Sequence, residues 1–231
     1  MAGAAHQRCP LLIFWEEGRG RGRPVEAYRT VLHEAEAEFV EKRSRFIAVI
    51  APAASEAEAQ AFFARLKKEH WNASHHVPAY ILREGQVRRY SDDGEPQGTA
   101  GLPALDVLQK AGLTDCAVMV IRYFGGTLLG TGGLTRAYSH AAALAVEAAD
   151  VVEMRPCMRL SLQCDYARMG MVEPLILSCG GVMDDVDYAE HVTLRFHMPT
   201  RDLPGFEKQL TDKSAGRLQA VAEDEAFYPF A

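Results

Sequence analysis

Five glycines, Gly125, Gly126, Gly130, Gly132 and Gly133, separate an apolar run at 117–123, interrupted only by Arg122, from an alanine-rich stretch at 134–149. A short, continuous apolar run reads as a strand buried on both faces, and the small side chains of the second stretch suit a helix lying close to a sheet. Glycine admits left-handed backbone angles and close approach, and a helix start presents free N–H groups to an anion. Two readings of the segment therefore stand. In one, Gly125, Gly126, Gly130, Thr131, Gly132 and Gly133 form a cradle for phosphate or a nucleic-acid backbone, with Arg122 and Arg136 supplying charge. In the other, glycine merely allows a tight strand-to-helix connection. A nucleotide-hydrolase P-loop is disfavoured, because Gly130 is followed by Thr131 rather than lysine. The dinucleotide fingerprint fails as well, since the third glycine would fall at Thr135.

The same strand and helix alternation extends along the chain, and 231 residues suffice for two domains of about 100 residues each. Glu34, Glu36 and Glu38 alternate with Ala35, Ala37 and Phe39, the period of a half-buried strand. A polar turn at 41–44 leads to a more buried strand at 46–50. Ser55 and Glu58 form a capping box, followed by Ala59, Phe62, Phe63 and Leu66 on one helical face. A hairpin at 77–90 turns at Glu84-Gly85, and Pro103 opens a short helix that Gly112 closes. The composition shifts at 150–156, so the domains are expected at 28–150 and 151–231. The second reads strand, helix, strand, strand, helix, strand, the ferredoxin-like βαββαβ order. Residues 1–27, with Gly/Arg alternation at 18–23, are expected to be a disordered or non-native extension.

Charge limits the possible partners. The chain carries 25 basic and 31 acidic residues, net −6, which excludes binding nucleic acid by bulk charge and leaves room for a local basic patch. Residues 151–231 hold 8 basic against 13 acidic residues and 28–150 hold 13 against 15, so nucleic-acid contact belongs to the first domain. Arg83, Arg88 and Arg89 are candidate RNA contacts there, and Trp71, Tyr80, Tyr90 and Tyr123 are candidate base-stacking rings. Scattered cysteines without a C-x-x-C pair point to a reduced, cytoplasmic protein with no disulfide framework or zinc knuckle. No apolar stretch reaches the length of a membrane span, so no membrane partner is expected.

Asp92, Asp93 and Glu95 put three carboxylates within four residues, enough to hold a divalent cation. Asp before Gly also forms turns, and a rigid turn leading into the helix at 103–111 is the favoured reading, with the loop a candidate support beside the glycine loop. His75-His76 would point to opposite faces of a strand and default to structural roles. No catalytic triad, metal-ligand set or P-loop lysine can be assembled, so neither catalysis nor a cofactor or metal is expected.

The stretches Ser91–Pro96 with Gly98–Gly101, Arg122–Gly126, Leu129–Leu134 and Arg136–Tyr138, with the opening 39–48, together closely resemble the YigZ/IMPACT family. The resemblance implies an α+β protein of two domains. The first would share its fold with the fourth domain of elongation factor G and the GHMP small-molecule kinases. The second would be ferredoxin-like, as is that factor's fifth domain. Eukaryotic relatives act in translational control by binding a large protein partner, and the family supplies no catalytic residues to carry over. The leading expectation is a non-catalytic, translation-linked protein that binds RNA or the ribosome through the first domain. The alternatives are a protein-binding regulator acting through acidic surfaces, and a nucleotide-dependent enzyme using the glycine loop at 130–133 with Asp92 or Asp93 on magnesium.

Overall fold

A computed structural model describes residues 26–230; the extension expected at 1–27 lies outside them apart from its last two residues. The chain divides into two compact units, Tyr28–Glu153 and Met154–Phe230, and the whole is α+β.

In the first unit the alternating stretch forms β2 (Ala35–Glu41), which pairs antiparallel with β3 (Ser44–Pro52). The connection is tighter than the polar turn expected at 41–44. Only Lys42 and Arg43 lie between the strands, both at positive φ, as a two-residue hairpin of matching twist requires. β3 pairs with β6 (Cys116–Tyr123), β6 with β4 (His75–Ile81), and β4 with β5 (Arg88–Tyr90), giving the order β2-β3-β6-β4-β5. β3 and β6 lie at the centre and are apolar on both faces because both faces are covered. Phe46, Ala48, Ile50, Val118 and Val120 face α2 (Gly101–Lys110) and α3 (Thr131–Ala148). Ile47, Val49, Met119 and Ile121 face α1 (Glu56–Glu69), which contributes Phe62, Phe63 and Leu66. The capping box is present: Ser55 Oγ accepts the Glu58 N–H, and the Glu58 carboxylate accepts the N–H of Ala54. β1 (Tyr28–Val31) pairs with β7 (Val151–Cys164), whose first three residues belong to this unit.

Two helices begin earlier than their sequence pattern suggests. α2 starts at Gly101, not Pro103, because Asp92 reaches across to accept the N–H groups of Gly98, Ala100 and Gly101. Pro103 is then still within the first turn, where its missing donor costs nothing. Gly112 closes the helix at φ +67°, with the Leu113 N–H returning to the Leu108 carbonyl. α3 starts at Thr131, not Leu134, behind Gly130 at φ +74°. Gly132 and Gly133 therefore belong to its first turn.

The second unit follows β7 with α4 (Tyr166–Ser178), β8 (Val182–Tyr188), β9 (Val192–Pro199), α5 (Leu203–Ser214) and β10 (Ala220–Phe230). The strand order β10-β7-β9-β8, with both helices packed on one apolar face through Val172, Leu175, Ile176, Phe206 and Leu210, is ferredoxin-like. Its first and last strands are longer than the sequence pattern alone marks. On the other sheet face, ion pairs join Arg195 to Asp185 and Arg159 to Glu223, and His197 Nδ1 meets the Asp184 carboxylate at 2.8 Å.

Candidate nucleic-acid interface

The glycine loop lies where β6 ends, beside the β2–β3 turn. A Cβ on Gly125 would lie 2.0 Å from the Arg43 carbonyl carbon, so here glycine permits close packing of two loops. The Gly125 N–H donates to Ser44 Oγ at 3.2 Å. Gly126 and Gly130 answer a different need: both have positive φ, and nothing lies within 4 Å of an added Cβ. Gly132 faces open space apart from the side chain of Arg136. Close packing thus accounts for Gly125, and backbone conformation for Gly126 and Gly130.

Arg122 does not supply charge to a cradle. Its side chain is buried, paired with the Glu95 carboxylate, 3.4 Å from Ser44 Oγ and stacked near Phe46 and Phe124. Its Nε is buried without a partner among the described residues. Glu95 also accepts the Tyr138 hydroxyl at 2.8 Å and lies 3.7 Å from His75 Nε2. One carboxylate therefore holds β6, α3 and β4 together. Burial, reinforced by the adjacent Glu95 charge, pushes the Tyr138 hydroxyl far above the usual tyrosine range, so it remains a donor.

The acidic loop turns inward. Asp92 is occupied by three backbone N–H groups, Asp93 accepts the His76 N–H, and Glu95 neutralises Arg122. The loop forms a turn leading into α2, whose first N–H groups Asp92 accepts, and its carboxylates are engaged by protein donors. Among the described residues no group of three or more His, Cys, Asp or Glu could hold a metal ion. His75 Nδ1 meets the Asp93 carbonyl and His76 Nε2 the His70 carbonyl, so both imidazoles make internal contacts.

Arg136 is exposed on α3, one turn from Thr131, and makes no ion pair among the described residues. The first N–H groups of the helix have no helical acceptor and point the same way as its positive dipole end. Lys42 and Arg43, exposed in the turn packed on Gly125, join Arg136 at this end of the sheet. The sequence reading passed them over; the signal was two basic residues at the tip of the first hairpin.

Arg83, Arg88 and Arg89 lie elsewhere. Arg122 pairs with His75 at one end of β4, whereas Arg88 sits beside Ile81 and Cys116 at the other, about 20 Å away at the usual rise of a strand. A single basic surface uniting all five arginines therefore does not exist. The Arg83 guanidinium is held by Asp115 at 3.3 Å and stacks on Tyr28. Desolvation raises the Asp115 carboxyl above its usual range despite that cation. Arg83, Gln86, Arg88 and Gln109 line an open cleft of about 600 Å³ here. Of the candidate stacking rings, Tyr80 is buried with its hydroxyl on Glu56, and the Tyr123 hydroxyl is held by His70. Trp71 is 79% exposed and Tyr90 46%.

Comparisons with known proteins agree with this architecture. The Impact N-terminal domain family model matches residues 42–146, and a model described as a domain of unknown function, DUF1949, matches 162–217. The chain is 35% identical over 205 residues to the IMPACT family member YvyE of Bacillus subtilis, covering 88% of this chain and 94% of that protein. It is 37% identical over 187 residues to the IMPACT family member YigZ of Escherichia coli, covering 80% of this chain and 92% of the relative. A crystal structure of a hypothetical protein matches with a TM-score of 0.56 at 34% identity, over 87% of this chain and 99% of the other.

Proposed function

The chain belongs to the IMPACT family, and on that premise we propose that it is a non-catalytic, translation-linked regulatory protein that contacts RNA or the ribosome through its first unit. The observation that carries this reading is the set of exposed cations Lys42, Arg43 and Arg136, which make no ion pair among the described residues, beside the glycine loop and on α3. They provide the local basic patch that the net charge of −6 would otherwise argue against. The nucleotide-dependent enzyme has less support, since Asp92 and Asp93 are already engaged.

The test is co-sedimentation of the full chain with ribosomes at low and high salt. Binding through three phosphate contacts should weaken with a log–log salt slope of roughly −2, at about −0.7 per phosphate on single strands. The Lys42→Ala/Arg43→Ala variant and Arg136→Ala should each flatten that slope. Salt-independent co-migration, unchanged in these variants, would instead favour a protein partner. The exposed Asp185, Asp187 and Glu190 of the second unit support that second reading, whereas the inward-turned acidic loop at 92–95 does not.

A further inference from the structure

The same end of the first unit carries large apolar groups that stand partly or mostly in water, Phe124 with Arg122 over its ring. Trp71 is 79% exposed, Phe124 48% and Leu128 82%. An exposed indole and phenyl ring leave much apolar area in water, and such a concentration on a soluble surface marks a contact site. The two segments that carry these rings are tied to each other. The Phe124 N–H donates to Ser74 Oγ, the Ser74 N–H donates to the Arg122 carbonyl at 2.9 Å, and His70 Nδ1 meets the Tyr123 hydroxyl at 3.0 Å. The loop that carries Trp71 is thus stitched to the strand end that carries Phe124.

Exposed cations lie on three separate elements of this unit, α1 on one face of the sheet, α3 on the other and the β2–β3 turn at its end. Lys67 and Lys68 lie in the last turn of α1 just before Trp71, Lys42 and Arg43 in the β2–β3 turn, and Arg136 on α3. None makes an ion pair among the described residues. Cations distributed on several elements suit a repeating anionic chain better than a single carboxylate. A ring face can stack only on a base that is not already sandwiched in a duplex. Resting on the RNA reading above, we infer that the ligand at this end is single-stranded RNA, with Trp71 and Phe124 as base-stacking platforms and the exposed cations following the phosphates. Leu128, at the tip of the glycine loop, supplies apolar surface beside them.

The experiment uses the full chain carrying Trp15→Phe, so that Trp71 is the sole tryptophan. Its fluorescence is titrated with a single-stranded 12-mer of uridylate, a 12-base-pair RNA duplex and an abasic 12-mer, in parallel with ribosome co-sedimentation. The expected result is quenching by the single strand, little by the duplex or the abasic strand, and at least about fivefold weaker single-strand binding in Trp71→Ala and Phe124→Ala, measured with a labelled oligonucleotide. Both residues are exposed, so these variants should fold, which circular dichroism would verify. Equal binding of all three probes without quenching, unchanged by Trp71→Ala, would overturn the stacking inference and leave the RNA reading standing. Ribosome binding that is weakened by Trp71→Ala, with no oligonucleotide bound, would overturn the inference and point to a ribosomal protein surface. Absence of both ribosome and oligonucleotide binding would overturn the RNA reading itself.

Discussion

The two ends of the first unit's sheet each tie one arginine to a carboxylate and leave other cations exposed, and they differ in what lies beside those exposed cations. At one end Arg83 is held between Asp115 and the Tyr28 ring, with Arg88 and Arg89 exposed nearby and Arg88 lining an open cleft. At the other, Glu95 absorbs the charge of Arg122 within the core, and Lys42, Arg43 and Arg136, with no ion pair among the described residues, lie exposed by the glycine loop and the start of α3. A surface is basic because of cations that lack partners, and counting arginines along a chain does not identify them.

Four experiments would break or sharpen this contrast. The largest effect is expected from Glu95→Ala, which strands the buried guanidinium of Arg122 and removes the acceptor of Tyr138. Removing one partner of a buried ion pair costs about 3–5 kcal/mol, so urea unfolding should show a loss of that order. A loss below about 1 kcal/mol would mean that Arg122 finds another partner or reaches water. Next is Gly125→Val, whose side chain would collide with the Arg43 carbonyl and should cost about 3 kcal/mol. Gly132→Ala, facing open space within α3, should be neutral or stabilising by up to about 1 kcal/mol in the same assay. Equal effects at the two glycines would show that close packing is not what requires glycine at Gly125.

A smaller effect separates the two ends directly. Arg136→Ala should weaken ribosome binding by roughly three- to tenfold and reduce the salt slope by about 0.7, whereas Arg88→Ala, at the other end, should leave both unchanged. The reverse pattern would move the interface to the cleft beside Arg88. The smallest effect concerns pH. Burial raises the Asp115 carboxyl, so the folded state holds that proton more tightly than the unfolded state does. Between the ordinary carboxylate range and the raised value, this group's contribution to stability falls as pH rises and is fully present below the ordinary range. Asp115→Asn should remove that component from the urea midpoint measured across mildly acidic pH, and an unchanged pH profile would show that Asp115 titrates normally.

Much of the fold could be read from local pattern. The Glu/Ala alternation of β2, the Ser55 capping box, the apolar run of β6 and the βαββαβ order are periodicities or spacings within a few residues of one another. The misplaced helix starts show where that information ends. α2 is capped by Asp92, nine residues before its first residue, and α3 begins on Gly130, whose left-handed angle lets the helix start before its apolar face does. The candidate site divides along the same line. Arg136 is exposed on the helix as its position in the pattern implies, whereas Thr131, Gly132 and Gly133 lie in the first turn of α3 and not in the connection before it. Arg122 was misread because Glu95, its partner, lies 27 residues away and no short-range rule couples them. Lys42 and Arg43 acquire meaning only once Gly125 brings their turn beside the glycine loop.

Gly125 also has a consequence for motion. Its missing side chain lets two backbones touch, with the Gly125 N–H bound to Ser44 Oγ at the foot of the hairpin. Neither loop can swing outward without separating that contact, so the hairpin tip and the loop leading to α3 should open together. Slowed amide exchange should then appear in both loops at once, even with a ligand short enough to touch only one.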